Sequence, residues 1–259
     1  MRNVGISLFL SLAVLAACTE SNVTPLADGR FYYPLEVGRF LEYRLDSIVF
    51  DDIQGGNVQD TFSGFIREVI TEKFEGLTGD TAYLIERSFK RLETDPWVVT
   101  NVYTESTDQS FGMRQEGNLT LIKMKFPVRD DTRWDPTTFI DPTIEVPIGT
   151  ELVEMYSNWE GLVISMDSNA IVGSFRFDNV LTCQQADDDN GIERRFVMEK
   201  YAEGIGLVLR VDSILDSRCK RLGELLPCLE SDGNGNLVLQ PWIEHAEKGY
   251  ILRQEITRF

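Results

Sequence analysis

The chain lacks most of the residues and motifs from which enzyme active sites are built. It has a single histidine, His245, so any Ser-His-Asp or Cys-His mechanism would have to use that residue. It has no Gly-x-Ser-x-Gly motif, no Cys-x-x-Cys motif and no Cys/His cluster. In the stretch WIEHAEKGY, acidic residues flank His245, which indicates an exposed or turn histidine. We therefore predict a protein that is not an enzyme, with no catalytic residues, no metal site and no cofactor.

Positive charge is also scarce. The chain carries 25 Lys and Arg against 42 Asp and Glu, which gives a formal net charge of −17 at pH 7. A surface with this excess of negative charge repels nucleic acid and anionic lipid headgroups, and it favours solubility. We therefore predict that nucleic acid is not a partner.

No apolar run at the N-terminus is long enough to span a membrane. The apolar run of residues 4–17 is shorter than the roughly 20 residues that a spanning helix requires. It follows a short basic start at Arg2, and polar residues come directly after it. This is the layout of a secretory signal, so residues 1–17 are predicted to be a signal peptide.

The end of this signal, Leu15-Ala16-Ala17-Cys18, resembles the lipobox of bacterial lipoproteins. The resemblance implies cleavage before Cys18 and attachment of fatty acyl chains such as palmitate to its thiol and its new amino group. Several acyl chains anchor a protein stably, whereas one anchors it only marginally. Residues 18–29 would then be a lipidated N-terminus and tether. An ordinary secretory signal with a cysteine at its boundary is the alternative.

The residue after Cys18 bears on the choice of membrane. It is Thr19 rather than Asp, and an Asp at this position indicates inner-membrane retention in some bacteria. The sequence therefore favours the outer membrane of a bacterial cell envelope over the inner membrane. It leaves open whether the domain faces the periplasm or the outside.

Three cysteines remain if Cys18 carries lipid. Cys219 and Cys228 flank the turn-like stretch KRLGELLP, and a bridge between them would close about ten residues and stabilise the fold by roughly 2.5–3 kcal/mol. Cys183 is then predicted to be a buried thiol on a strand. A disulfide from Cys183 to Cys219 or to Cys228 is the alternative.

The hydrophobic pattern of the remaining chain has a period of two. In RFLEYRLDSIVF (39–50), Leu41, Tyr43 and Leu45 alternate with charged residues, as in a half-buried strand. We predict a mostly β fold: a curved antiparallel meander, as a half-barrel or a sandwich, with little helix beyond the signal peptide and one short helix near 219–226. The predicted strands are 39–50, 64–74, 81–92, 97–105, 119–126, 151–156, 161–166, 170–183, 193–201, 205–215, 237–243 and 249–258.

Residues 30–259 are predicted to form a single β-rich domain. The stretch 127–147 contains four prolines and is the best candidate for a subdivision; a long crossover within one sheet is the alternative. In the stretch 201–213, Gly204 and Gly206 precede a strand, which indicates a bend rather than a nucleotide site. The turn 231–236 indicates a hairpin rather than a calcium loop.

Three short motifs resemble those of a loose group of uncharacterised β-rich bacterial lipoproteins. They are YYPLEVGRFLEY (32–43), KFPV (125–128) and YAEGIGLV (201–208), together with the lipobox. In that group the opening reads Pro-Leu-x-x-Gly-x-x-Trp-x-Tyr and the later motif Tyr-Ala-x-Gly-Val-Gly-Leu-Val. Here Phe40 stands in place of the Trp, and the midpoint lacks the group's glycine. The resemblance implies an antiparallel sheet curved around a core, and it brings no catalytic residues.

These features favour a membrane-anchored, non-enzymatic envelope lipoprotein that binds an envelope protein, a glycan or a lipid, or that serves assembly. One alternative is a carrier or sensor of a hydrophobic ligand inside a half-barrel lined by Phe, Leu and Ile. The other is a carbohydrate-active protein that uses paired carboxylates and tryptophans. The four tryptophans are Trp97, Trp134, Trp159 and Trp242.

We predict that Cys18→Ala abolishes incorporation of a clickable palmitate analogue into the chain in bacteria, because the substitution removes the thiol that is acylated. The measurement is in-gel fluorescence after metabolic labelling. Cys183→Ala leaves the lipobox intact and should label as the wild type does. Equal labelling of the Cys18→Ala variant and the wild type would contradict the anchor.

Overall fold

The computed structural model describes residues 28–51, 58–76 and 81–259. Residues 1–17 and Cys18, on which the predicted signal and anchor depend, lie outside the described residues. Within these ranges the chain is mostly β, and one large antiparallel sheet curves until it is nearly closed like a barrel. The predicted fold class is thereby confirmed.

The first half of the chain is a meander in which each strand pairs antiparallel with the next. A short 3-10 turn at Arg30–Tyr32 precedes it. The strands are β1 (Phe40–Asp51), β2 (Val58–Glu75), β3 (Thr81–Lys90), β4 (Val98–Thr107), β5 (Phe111–Glu116) and β6 (Leu119–Lys125).

The second half adds a further run of antiparallel strands, two small hairpins and two short helices. The strands are β7 (Arg133–Trp134), β8 (Val146–Ile148), β9 (Glu151–Val153), β10 (Gly161–Val172), β11 (Phe175–Asp189), β12 (Glu193–Ala202), β13 (Gly206–Ser217), β14 (Leu229–Ser231), β15 (Leu237–Leu239) and β16 (Ala246–Arg258). The helices are α1 (Arg218–Leu222) and α2 (Trp242–His245), and a 3-10 turn spans Leu226–Cys228.

Among the described strands, twelve form the large sheet, in the order β6-β5-β4-β3-β2-β1-β16-β13-β12-β11-β10-β7. The last strand, β16, therefore joins the two halves, because it pairs with β1 on one side and with β13 on the other. The hairpins β8–β9 and β14–β15 form two separate two-stranded sheets.

The two edges of the sheet approach each other. The indole Nε1 of Trp134, on β7, donates a hydrogen bond to the carbonyl oxygen of Ile122, on β6, at 3.0 Å. The backbone N–H of Ile122 donates to the carbonyl oxygen of Pro136 at 2.9 Å. These contacts bring the edge strands together without a continuous ladder, so the sheet is nearly closed.

Two segments cover the ends of the curved sheet. At the end where β1 begins, Tyr32 and Tyr33 are buried, and the Tyr32 hydroxyl donates to Asp167 at 2.5 Å. At the end where β1 finishes, Asp51 accepts hydrogen bonds from the backbone N–H and hydroxyl of Thr150, beside the β8–β9 hairpin. These two segments cover part of each end of the sheet.

Some strand boundaries differ from the prediction. A break is predicted between 166 and 170, but β10 continues through this region with several bulges, and Asp167 takes a φ of +47°. The polar residues here resemble a turn in sequence, but in the structure they form bulges, which add residues to a strand without ending it. The prediction also misses β5, because its residues overlap the turn that Gly117 forms between β5 and β6.

The region of the predicted subdivision, 127–147, connects β6 to the β8–β9 hairpin and includes β7. Strands before and after it, such as β6 and β10, belong to the same sheet. A disulfide joins Cys219 to Cys228, with their Cα atoms 6.2 Å apart. Cys183 is buried and forms no disulfide with any described residue.

We predict that Gly249→Ala destabilises the protein more than Gly117→Ala. Both glycines have positive φ, +114° and +59°, so each substitution costs about 1–2 kcal/mol of backbone strain. The two sites differ in the space around the new Cβ. At Gly249, on β16, it would lie 2.0 Å from the carbonyl oxygen of Ile214, whereas at Gly117 it would face open space. The clash adds about 1–3 kcal/mol.

The measurement is the free energy of unfolding from urea titrations of both variants and the wild type. If both variants lost the same free energy of unfolding, position 249 would accommodate a Cβ, and the predicted clash with the Ile214 backbone on β13 would be wrong.

Candidate functional site

Charged side chains line the inside of the curved sheet, where apolar ones are expected. They occupy the same face of their strands as core residues, for example Ile66 and Glu68 on β2 or Ile85 and Arg87 on β3, because side chains two positions apart share a face. We refer to the set as the interior charge cluster: Glu68, Arg87, Glu105, Arg114, Lys123, Glu199, Arg210 and Asp212.

In the first half, two arginines are paired with two glutamates. Glu68 faces Arg87 across β2 and β3, and its Oε1 accepts from Arg87 Nη2 at 2.8 Å. Glu105 faces Arg114 across β4 and β5, and its Oε1 accepts from Arg114 Nε at 2.7 Å. The Tyr103 ring lies between the two guanidinium groups, 5.0 Å from Arg87 and 4.4 Å from Arg114. Cation–π contact therefore supplements these ion pairs.

Across the interior, Lys123 forms an ion pair with Glu199, which is fully buried. Lys123 is the extra residue of a β-bulge between β5 and β6. Glu199 Oε2 also accepts from the Tyr201 hydroxyl at 2.7 Å and from Gln185 Nε2 at 2.9 Å. The pair thus links β6 to β12, which are far apart in the order of the sheet.

Arg210 and Asp212 form the third group. Arg210 donates to Asp212 through Nε and Nη2, with Nη2 at 2.7 Å from Oδ2, and the Tyr250 hydroxyl donates to the same oxygen at 3.1 Å. In the register of the sheet, Arg210 lies opposite Glu199 on one side and Gln254 on the other. One row across three strands therefore carries a glutamate, an arginine and a glutamine.

The cations keep the buried carboxyls ionised. Burial alone would raise the pKa of Glu68, but Arg114 and Arg87 outweigh burial and lower it to about 2. The same balance holds for Glu199, where Lys123 and Arg210 overcome burial and lower the pKa to about 2. Both groups are therefore charged at neutral pH.

The interior also contains a cavity of about 460 Å³, which we call the larger cavity. Its wall is apolar along Leu45, Ile66, Leu121 and Leu252. Its basic lining side chains are Arg87, Arg114, Lys123 and Arg210, and its acidic ones are Glu116 and Asp212. Pockets of this size and mixed lining are typical of small-molecule binding sites.

A smaller cavity, of about 60 Å³, lies toward the end covered by Tyr33. Arg114 and Lys123 line both cavities, whereas Glu68 and Glu105 line only the smaller one. The interior charge cluster therefore separates the two spaces.

The mouth of the larger cavity lies between two hairpins. Its half-buried lining residues include Glu116 and Leu119, which flank the β5–β6 turn, and Val146 on β8. The Glu116 side chain is 43% exposed, so this side of the cavity reaches solvent.

The residues singled out in the sequence do not meet in one place. His245 is buried rather than exposed, because α2 turns its ring inward, where it stacks on Trp242 and its Nδ1 lies 3.0 Å from the Pro241 carbonyl oxygen. Within the described ranges, no group of three or more His, Cys, Asp and Glu residues is arranged to hold a metal ion. The turn 231–236 closes the β14–β15 hairpin, as the sequence indicates.

The tryptophans occupy separate positions. Trp134 and Trp159 are buried and donate to backbone carbonyls of Ile122 and Met155. Trp97 contacts the cations of Arg67 and Lys90. Trp242 donates to Asp189 at 3.0 Å. They do not form a shared stacking platform.

The interior charge cluster is not among the site residues predicted from the sequence, although the chain contains a signal for it. Glu68 falls at a position of the same parity as Ile66 and Ile70, and Arg87 has the parity of Ile85. A charge in phase with the apolar face of a strand indicates an interior polar group. That signal identifies single residues but not their partners.

Comparisons with known proteins give little further information. No family model matches the chain, and no curated protein matches it. A crystal structure from Bacteroides fragilis NCTC 9343, described as a presumed exported protein with a YmcC-like fold, is 8% identical, with a TM-score of 0.31 and coverage of 87% of this chain and 98% of that one. A presumed lipoprotein from Parabacteroides distasonis ATCC 8503 is 8% identical, with a TM-score of 0.29 and coverage of 88% and 98%. These TM-scores are too low to support a conclusion.

In the parts of the chain that the structure describes, no helix has the length and hydropathy needed to cross a membrane.

We predict that Glu199→Gln lowers the free energy of unfolding at pH 7 by about 3–5 kcal/mol, because it leaves Lys123 buried without its countercharge. The pKa of Glu199 falls from its ordinary value of 4.5 to about 2 on folding. Its ionised form therefore stabilises the protein above pH 4.5, and that contribution is lost as the pH falls toward 2. The difference between variant and wild type should narrow over this window.

The measurement is urea unfolding at pH 7, 5, 4 and 3. Glu36→Gln changes an exposed carboxyl and should follow the wild type throughout. A difference that stays constant from pH 7 to pH 3 would show that Glu199 is not held ionised by its neighbours.

Proposed function

We propose that this chain is a lipid-anchored, non-enzymatic protein of the bacterial cell envelope whose curved sheet binds a small hydrophobic or amphiphilic ligand, as a carrier or a sensor. The larger cavity is the observation that supports this function. A sheet filled by its own side chains would favour a purely structural or assembly role, whereas a cavity of about 460 Å³ lies within this sheet and opens to solvent on one side.

The anchor is supported by the sequence of residues 15–18, which has the form of a lipobox. With Thr19 after the cysteine, we assign the protein to the outer membrane. A tether of residues 18–29 would hold the domain close to the membrane surface, where apolar ligands partition. A lipid ligand is therefore more accessible to this domain than a soluble ligand would be.

The composition of the cavity wall supports an amphiphile over a sugar. Leucine and isoleucine side chains such as Leu45, Ile66, Leu121 and Leu252 offer apolar contact to a hydrocarbon chain, which a sugar lacks. The dispersed tryptophans likewise provide no sugar-stacking surface. We therefore do not propose a carbohydrate-active role.

We predict that Leu121→Trp reduces binding of the neutral fluorescent probe N-phenyl-1-naphthylamine at least tenfold, because the larger side chain occupies the cavity. The measurement is a fluorescence titration of the full chain carrying Cys18→Ala, purified without detergent. Native mass spectrometry of the same protein should detect a co-purifying small ligand.

Leu92→Trp is the matched control, since Leu92 is 59% exposed and lies in the turn between β3 and β4. It should bind the probe as the parent does. Thermal unfolding of each variant verifies the fold, and Leu252→Phe provides a milder filling substitution if Leu121→Trp does not fold. Unchanged binding in every folded filling variant would rule out the cavity as the binding site.

A further inference from the structure

The charges on the wall of the larger cavity are distributed asymmetrically. Its basic side chains belong to ion pairs, but two of their carboxylate partners, Glu68 and Glu105, line the smaller cavity instead. A third partner, Glu199, is fully buried beside Lys123. The larger cavity therefore presents mainly cations to its contents, in a chain whose net charge is −17.

A buried hydrogen-bond donor also lines this cavity without an acceptor. Gln254, on β16, is 5% exposed, and its Nε2 meets no hydrogen-bond partner among the described residues. A buried donor is costly to leave unpaired, and such groups are normally satisfied by protein, water or ligand. Gln254 therefore indicates a place where a ligand acceptor would be bound.

Arg210 adds a second donor next to Gln254. The two residues lie opposite each other across β13 and β16. Asp212 accepts from Nε and Nη2 of Arg210, which leaves Nη1 available within the described part of the chain. A head group with two or more oxygens could accept from both residues at once.

The apolar wall continues from this polar corner. Leu45 lies opposite Gln254 across β1 and β16, and Leu252 is two positions from Gln254 on the same face. Leu121, Leu119 and Val146 extend the apolar lining toward the mouth. A chain attached to the head group would therefore run from Gln254 to the opening.

Building on the proposed function, we infer that the ligand of the larger cavity is a single-chain amphiphile with an anionic head, a carboxylate or a phosphate, held by Arg210 and Gln254. The charge asymmetry selects the anion, and the apolar lining holds the chain. A neutral lipid of the same length would leave the Gln254 Nε2 and Arg210 Nη1 donors without an anionic acceptor.

The test compares three ligands of equal chain length, dodecanoate, dodecyl phosphate and dodecan-1-ol, by displacement of N-phenyl-1-naphthylamine from the full chain carrying Cys18→Ala. We expect both anions, or one of them, to bind at least tenfold more tightly than the alcohol. Tighter binding of dodecanoate assigns a carboxylate head, and tighter binding of dodecyl phosphate assigns a phosphate head.

Two variants locate the head group. Gln254→Leu should weaken binding of the preferred anion about fivefold to tenfold and leave the affinity for dodecan-1-ol unchanged. Arg210→Lys keeps the positive charge but loses the planar guanidinium. It should also weaken binding of the preferred anion more than binding of dodecan-1-ol. Gln115→Leu is the control, because Gln115 is exposed on β5.

The outcomes separate the two proposals. If the alcohol binds as tightly as both anions, or if Gln254→Leu and Arg210→Lys both leave anion affinity unchanged, the head-group inference is overturned and the proposed function stands. If neither the neutral probe nor any of the three ligands binds, the proposed function fails as well.

Discussion

The last strand of the chain, β16, joins the two halves of the sheet by hydrogen bonding to β1 on one side and to β13 on the other. Without β16 the two meanders would each have an unpaired edge, and the interior would open to water. The same strand supplies Tyr250, Leu252 and Gln254 to the wall of the larger cavity. The strand that joins the two halves of the sheet therefore also forms part of the candidate site.

The interior charge cluster carries a large desolvation penalty compared with an apolar interior. Burying an ion pair removes two charges from water, and the attraction between them often does no more than offset that cost, so apolar residues of the same size would stabilise the fold as well or better. Clusters of ionisable groups with displaced pKa values are more common at functional sites than elsewhere. Arg114, Lys123 and Arg210 of this cluster line the larger cavity, which supports the proposal that the cluster contacts a ligand.

Much of the fold follows from local patterns in the chain. The alternation in residues 39–50 predicts a strand, and β1 spans Phe40–Asp51. Predictions fail where local signals conflict with sheet context. The polar residues around Asp167 resemble a turn in sequence. In the structure β10 continues past them, because it pairs with β11 and accommodates them as bulges. Likewise, nothing near His245 in sequence indicates burial, which results from the packing of α2.

The alternation that makes the chain β-rich, its acidic charge and the lipobox-like residues before Cys18 can all be read from the amino-acid order and composition, because none of them depends on contacts between distant residues. The contact of Lys123 with Glu199, 76 residues away, and the position of Arg210 beside Gln254 on the cavity wall emerge only from the folded sheet. Such pairs depend on strand order, and strand order is fixed by the packing and hydrogen bonding of the whole sheet rather than by any local segment.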